Sequence, residues 1–210
     1  MSKAVAEYVA SGPEPYPDQI YGDGYRCSAY LKDGTYLPCV LLRKSAPTTK
    51  LALDRFDQEK RGKGIFRSSS DAYEKIVRHF LTTGNRIDAH DIAKVEASRY
   101  AIPLDILKNV TGETAMSWTG FVLQMRDGKL LALGTTFLTE FLDIPDGLSF
   151  ADTLAVHNHS YVSASGELRP LNRGLAAQPT DYDPARINRE RLYFVCYHDA
   201  QVGFEMSASG

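Results

Sequence analysis

The sequence predicts an α+β fold: a mostly antiparallel sheet built from hairpins, with a central helical insertion. Three observations carry that prediction. Two segments, Tyr30-Leu31-Lys32-Asp33-Gly34-Thr35-Tyr36-Leu37 and Gln124-Met125-Arg126-Asp127-Gly128-Lys129-Leu130-Leu131, each set a basic-Asp-Gly turn between apolar arms. Asp-Gly is a strong hairpin signal because it tolerates the positive φ of a type I′ turn. Between the two segments lies the clearest helical periodicity of the chain, while the strand–helix alternation that builds parallel sheets is absent over most of its length.

The elements follow in order. Lys3 to Ser11 reads as a short helix with Val5, Tyr8 and Val9 on one side and Gly12 as its stop. Three prolines in Gly12-Pro13-Glu14-Pro15-Tyr16-Pro17 then break regular structure. Tyr25 to Leu31 and Thr35 to Arg43 form the first hairpin. Its second arm contains Pro38, which has no N–H for a ladder, so this arm is expected to be an edge strand or to carry a bulge. Leu51 to Leu53 reads as a short strand, and the charged, glycine-interrupted stretch Asp54 to Arg67 as an exposed loop.

A helix is expected from Asp71, with Glu74 as the capping-box acid and Gly84 beyond its end. Tyr73, Ile76, Val77, Phe80 and Leu81 make its apolar face. A second helix is expected over Asp91 to Arg99, and a third from Pro103 to Asn109, where proline at the first position loses no hydrogen bond. The second hairpin spans Trp118 to Gly134. Phe137 to Leu142 fits strand and helix equally, and Leu154 to Val162, Leu192 to Tyr197 and Gln201 to Met206 read as strands. The expected organisation is a single domain over residues 1–210, with 70–110 as a helical subdomain. The matching turns fit an old duplication or convergent turn chemistry; the rest of the two halves shares no visible pattern.

Composition bounds the function. With 210 residues, 43% hydrophobic and 24% charged, the chain can bury a core and does not resemble a disordered segment. A net charge of −2 supplies no field steering the molecule to nucleic acid or anionic lipid. No apolar run approaches the roughly 20 residues of a membrane span, and the first residues lack the apolar core of a signal peptide. Cys27, Cys39 and Cys196 are odd in number and spaced unlike a metal knuckle, which suggests reduced thiols in a cytoplasmic protein. Arg61-Gly62-Lys63-Gly64 lacks the spacing and hydroxyl residue of a phosphate loop, and no dinucleotide fingerprint is present.

The candidate chemistry is sparse. His157 and His159 would share a face on a strand, and with His198 could hold a divalent transition metal such as zinc in a metal-dependent hydrolase. A lone His-x-His also arises easily by chance, and polar contacts at a sheet end are the plainer reading of these residues. Cys196 lies in an apolar context that suits a packed thiol, and no nucleophile elbow is present, so no catalytic residue is assigned. The run from Lys60 to Arg67 could grip phosphate, but Asp54, Asp57 and Glu59 dilute its charge, which disfavours a nucleic-acid partner. Arg186, Arg189 and Arg191 stand among acids and read as salt-bridged surface. Tyrosines gather near the first hairpin, where they suit an interface. The leading expectation is therefore a soluble intracellular binding or protein-interaction protein that self-associates. Its contact surface would comprise Tyr30, Tyr36, Lys60, Arg61, Lys63, Phe66 and Arg67.

Overall fold

The computed structural model describes residues 2–61, 85–136, 138–171 and 179–199. It is α+β with mixed parallel and antiparallel sheets, so the expected antiparallel sheet built from hairpins is matched in part. The chain divides into two compact units: one runs to Glu96 and resumes at Phe194, and the other is Ala97–Tyr193.

In the first unit, α1 (Lys3–Ala10) starts at Ser2, whose hydroxyl accepts the Val5 N–H. There follow β1 (Gly24–Leu31), β2 (Tyr36–Arg43), α2 (Ser45–Lys60), β3 (Arg86–Ile87), a 3-10 turn (Ala89–Asp91) and β4 (Ile92–Ala97). After the whole of the second unit, β11 (Phe194–Tyr197) returns to complete the sheet, in the order β3-β11-β2-β1-β4. β11 lies parallel to both of its neighbours.

The first hairpin is thus internal, not an edge. Pro38 is accommodated by a bulge. Cys27 faces Val40 while Ala29 faces Leu37, so Pro38 and Cys39 together oppose Ser28. Side chains alternate along a strand, so Leu37 and Val40 would otherwise point to opposite faces. The extra residue resets that parity. Leu37, Val40 and Leu42 all enter one core with Val5, Cys27, Ala29, Ile92 and Cys196. Each such aliphatic side chain contributes about 1.5–3 kcal/mol when fully buried. All three cysteines are buried thiols, none of them in a disulfide.

Two expectations for this unit fail. Residues 51–60 are neither strand nor loop but the greater part of α2, with Thr48 and Ala52 buried. Its first turn is capped from far away, because the Asp199 carboxylate accepts the Ser45 N–H at 2.6 Å. Asp91 to Arg99 is not a helix; most of it is β4. The helix expected from Asp71 and the strand expected from Gln201 lie outside the described residues.

The second unit contains α3 (Leu104–Leu107), β5 (Thr119–Met125), β6 (Leu130–Thr135), a 3-10 turn (Phe150–Asp152) and β7 (Thr153–Asn158). It continues with β8 (Ser160–Val162), β9 (Leu168–Pro170) and β10 (Asn188–Arg189). The sheet order is β10-β6-β5-β7, with β10 parallel to β6 and the other pairs antiparallel; β8 and β9 pair separately. The core gathers Ile102, Phe121, Leu123, Met125, Leu131, Leu133, Leu142, Ile144 and Phe150. The strand expected over Leu154 to Val162 is broken at His159, whose φ of 50° is left-handed.

The two hairpin turns are alike in detail. Gly34 and Gly128 have φ of 88° and 84°. The Asp33 and Asp127 carboxylates accept the N–H two residues on, from Thr35 at 2.9 Å and Lys129 at 3.0 Å. Hairpins therefore form at both expected positions, but the turns are not type I′: only the glycines, and not Asp33 or Asp127, are left-handed.

Candidate strand-docking groove

Among the described residues, β7 is the outer strand of the second unit's sheet, with β5 as its one ladder neighbour. Its sequence suits that position: Val156 packs toward the core while His157 makes a polar contact with Gln124. Gln124 faces Ala155 and Met125 faces Thr153, so Leu154 is an extra, bulged residue, 65% exposed. The His159 N–H bonds the Gly120 carbonyl, which fixes the phase of the ladder. In an antiparallel pair, main-chain groups point alternately to one side and the other. The N–H and C=O of Val156 consequently face the free edge.

Beside that edge stands α3. Pro103 precedes it and Asn109 follows, its amide donating back to the Asp105 carbonyl at 2.7 Å. The Asn158 side chain ties the far end of β7 to this segment. It donates to the Asn109 carbonyl at 2.7 Å and accepts the Thr111 N–H at 2.9 Å. Between the two elements opens a cleft of about 360 Å³, lined by Asp105, Ile106 and Asn109 on one wall and residues 153–156 on the other. Four consecutive residues line it. They include the bulged Leu154, where the regular alternation of side chains is interrupted, and they run along the side of β7 away from β5. Thr153 Oγ1 in this lining is buried without a hydrogen-bond partner among the described residues.

The residues singled out from the sequence are dispersed. Tyr30 and Tyr36 do meet, as a cross-strand pair with ring centroids 4.8 Å apart, both partly exposed, and Lys94 lies over Tyr30 at 5.5 Å. Lys60 ends α2, and Arg61 follows it, exposed and 3.7 Å from Asp57. Lys63, Phe66 and Arg67 lie outside the described residues. Arg186, Arg189 and Arg191 are paired with Asp183, Glu190 and Asp143, as a salt-bridged surface requires. Arg189 also covers Trp118, and Arg191 covers Tyr100, which further ties these cations into the fold.

His157 and His159 do not share one uninterrupted strand. β7 ends at Asn158, and His159 turns away with its Nδ1 3.1 Å from Thr114 Oγ1. His198 belongs to the first unit, buried beside Tyr25, where loss of solvent lowers its pKa. Among the described residues, the trio with ligand atoms within 4.8 Å of one another is Asp88, His90 and Asp91, all exposed, with Asp88 just before the first unit's 3-10 turn and the other two on it. Burial pushes the Cys196 thiol up to about 12, which suits the packed thiol expected of it.

The sequence carried a weak signal for the groove. Pro103 marked the start of α3 and β7 was recognised as a strand, but outer position is a property of the assembled sheet. Searches of known protein families, curated proteins and solved structures find no match for this chain.

Proposed function

We propose that the protein is a binding protein that captures an extended polypeptide segment by strand addition at the free edge of β7. The observation that carries this reading is the cleft lined by four consecutive residues of an outer strand. Unpaired main-chain N–H and C=O groups select an extended backbone, and flanking side chains tune which sequence is accepted. The volume suits a ligand cleft, typically about 300–1,000 Å³. α3 rises beside the edge, which favours a single strand over the broad edge of a second folded sheet. The reading keeps the expected class, a protein-interaction protein, and moves its contact surface from the first hairpin to β7.

The test is hydrogen exchange by NMR, with and without a pool of octapeptides bearing β-branched residues at alternate positions. Binding should slow exchange of the Val156 amide at least tenfold. Val156→Pro removes that donor at a site where an outer strand tolerates proline, and should weaken capture by about tenfold or more. Octapeptides N-methylated at alternate residues serve the same purpose without altering the protein. Unchanged Val156 exchange at saturating peptide would overturn the proposal. So would a Val156 amide already protected in a concentration-dependent dimer, which would assign the edge to a second copy.

A further inference from the structure

We infer that the captured segment carries a cationic side chain, lysine or arginine, that lies against Asp105. The inference rests on the strand-addition reading and specifies its ligand. Asp105 is the one ionisable residue in the cleft lining. Several acids of this unit are held by cations, Asp143 by Arg191, Asp146 by Arg99, Asp127 by Lys129 and Glu190 by Arg189, but none of these lines the cleft. Asp105 has no ion pair among the described residues, and its Oδ1 accepts the N–H of Ile106 at 2.9 Å.

The chemistry of the wall points the same way. The Asn109 amide nitrogen is engaged with the Asp105 carbonyl, which leaves its Oδ1 as an uncommitted acceptor. The α3 wall therefore offers a ligand acceptors: two side-chain oxygens and a negative charge. Lysine and arginine side chains are donors only, so they match this wall, whereas a glutamate would meet both like charge and a lack of donors. Ile106 and Val156 add aliphatic surface, which accommodates an apolar residue beside the cation. In an added strand, residues two apart share a face, so the cation's partners toward α3 are those at i±2.

The experiment uses fluorescence anisotropy with two labelled sets of alternating Val/Thr octapeptides. One set carries a single lysine at each position in turn, and the other a glutamate at the same positions. The best lysine peptide should bind roughly tenfold more tightly than its glutamate counterpart, since one gains an exposed ion pair and the other suffers repulsion. Asp105→Asn should reduce that ratio below about twofold. Equal binding of lysine and glutamate peptides to the unaltered protein overturns the charge assignment and leaves strand addition standing. Absence of binding by every peptide overturns strand addition itself, and the assignment with it.

Discussion

In both units a basic-Asp-Gly hairpin occupies the centre of the sheet, and the strand that follows a 3-10 turn lies against the hairpin's first arm: β4 beside β1, β7 beside β5. The same hydrogen bond latches the two together. Lys32 N–H reaches the Asp91 carbonyl at 2.8 Å, and Arg126 N–H reaches that of Asp152 at 2.9 Å. Each hairpin's second arm then receives a late parallel strand, β11 on β2 and β10 on β6. The helices differ. α1 is eight residues long, buries Val5 completely and anchors the Tyr8 hydroxyl to the Arg26 carbonyl. α3 is a single turn, and a cleft opens between it and its outer strand. The hairpin sets a common frame, and the preceding helix is where the two units diverge.

The sharpest way to separate the units is through their ion pairs. Arg43 is buried, its guanidinium 2.7 Å from Asp18 with its Nε unpartnered. Asp18→Ala would strand that cation and should cost about 3–5 kcal/mol, measured by denaturant unfolding. In the second unit every described ion pair has at least one well-exposed partner, so Asp146→Ala should cost no more than about 1 kcal/mol. Comparable losses would erase the distinction. The turns test the likeness instead. Neither Gly34 nor Gly128 has a heavy atom near where a Cβ would lie. Alanine at either position should therefore cost only the left-handed backbone penalty, about 1–2 kcal/mol. Unequal costs would break the equivalence of the two turns.

Acid should separate the units more gently. Burial, with Lys44 adding to it and Asp199 opposing it, holds His198 below its ordinary value. As pH falls below 6.5, the unfolded chain takes up a proton that the folded first unit resists, so this stabilisation declines toward the lower folded pKa. In the second unit the hydrogen bond from Arg189 outweighs partial burial and holds Glu190 down to about 2. Its contribution is complete above the unfolded carboxylate range near 4.5 and fades only as pH drops toward 2. Hydrogen exchange at Cys196 and Leu133 should show the first unit weakening earlier. Earlier loss at Leu133 would contradict this ordering.

What the sequence revealed follows the range of the interactions involved. The hairpin turns and α1 depend on neighbours within a few residues, and both were legible. β4 reads locally as a helix because Ile92 and Val95 stand three apart among residues that favour helices, and only its place beside β1 makes it a strand. α2 does not read as a helix because its polar sequence shows little periodicity. Its support comes from the pair Lys50–Asp54 and from Asp199, which local inspection cannot connect to Ser45. The bulge at Pro38 was anticipated, since proline must escape the ladder somehow, but the choice between bulge and edge was made by β11. The groove was hidden for the same reason: α3 and β7 meet through the fold.

That late strand also has a consequence for how the chain is made. β2 emerges early from the ribosome, yet the partner for one of its sides, β11, follows the whole of Ala97–Tyr193. At about 5–20 residues per second, that delay is on the order of 10 s. For that time the Val40–Arg43 side of the first sheet stands open, rich in aliphatic residues and ready to pair with any passing strand. The unit that begins second in the sequence can finish first. Newly made first units must be shielded, or must fold late, after their closing strand has been translated.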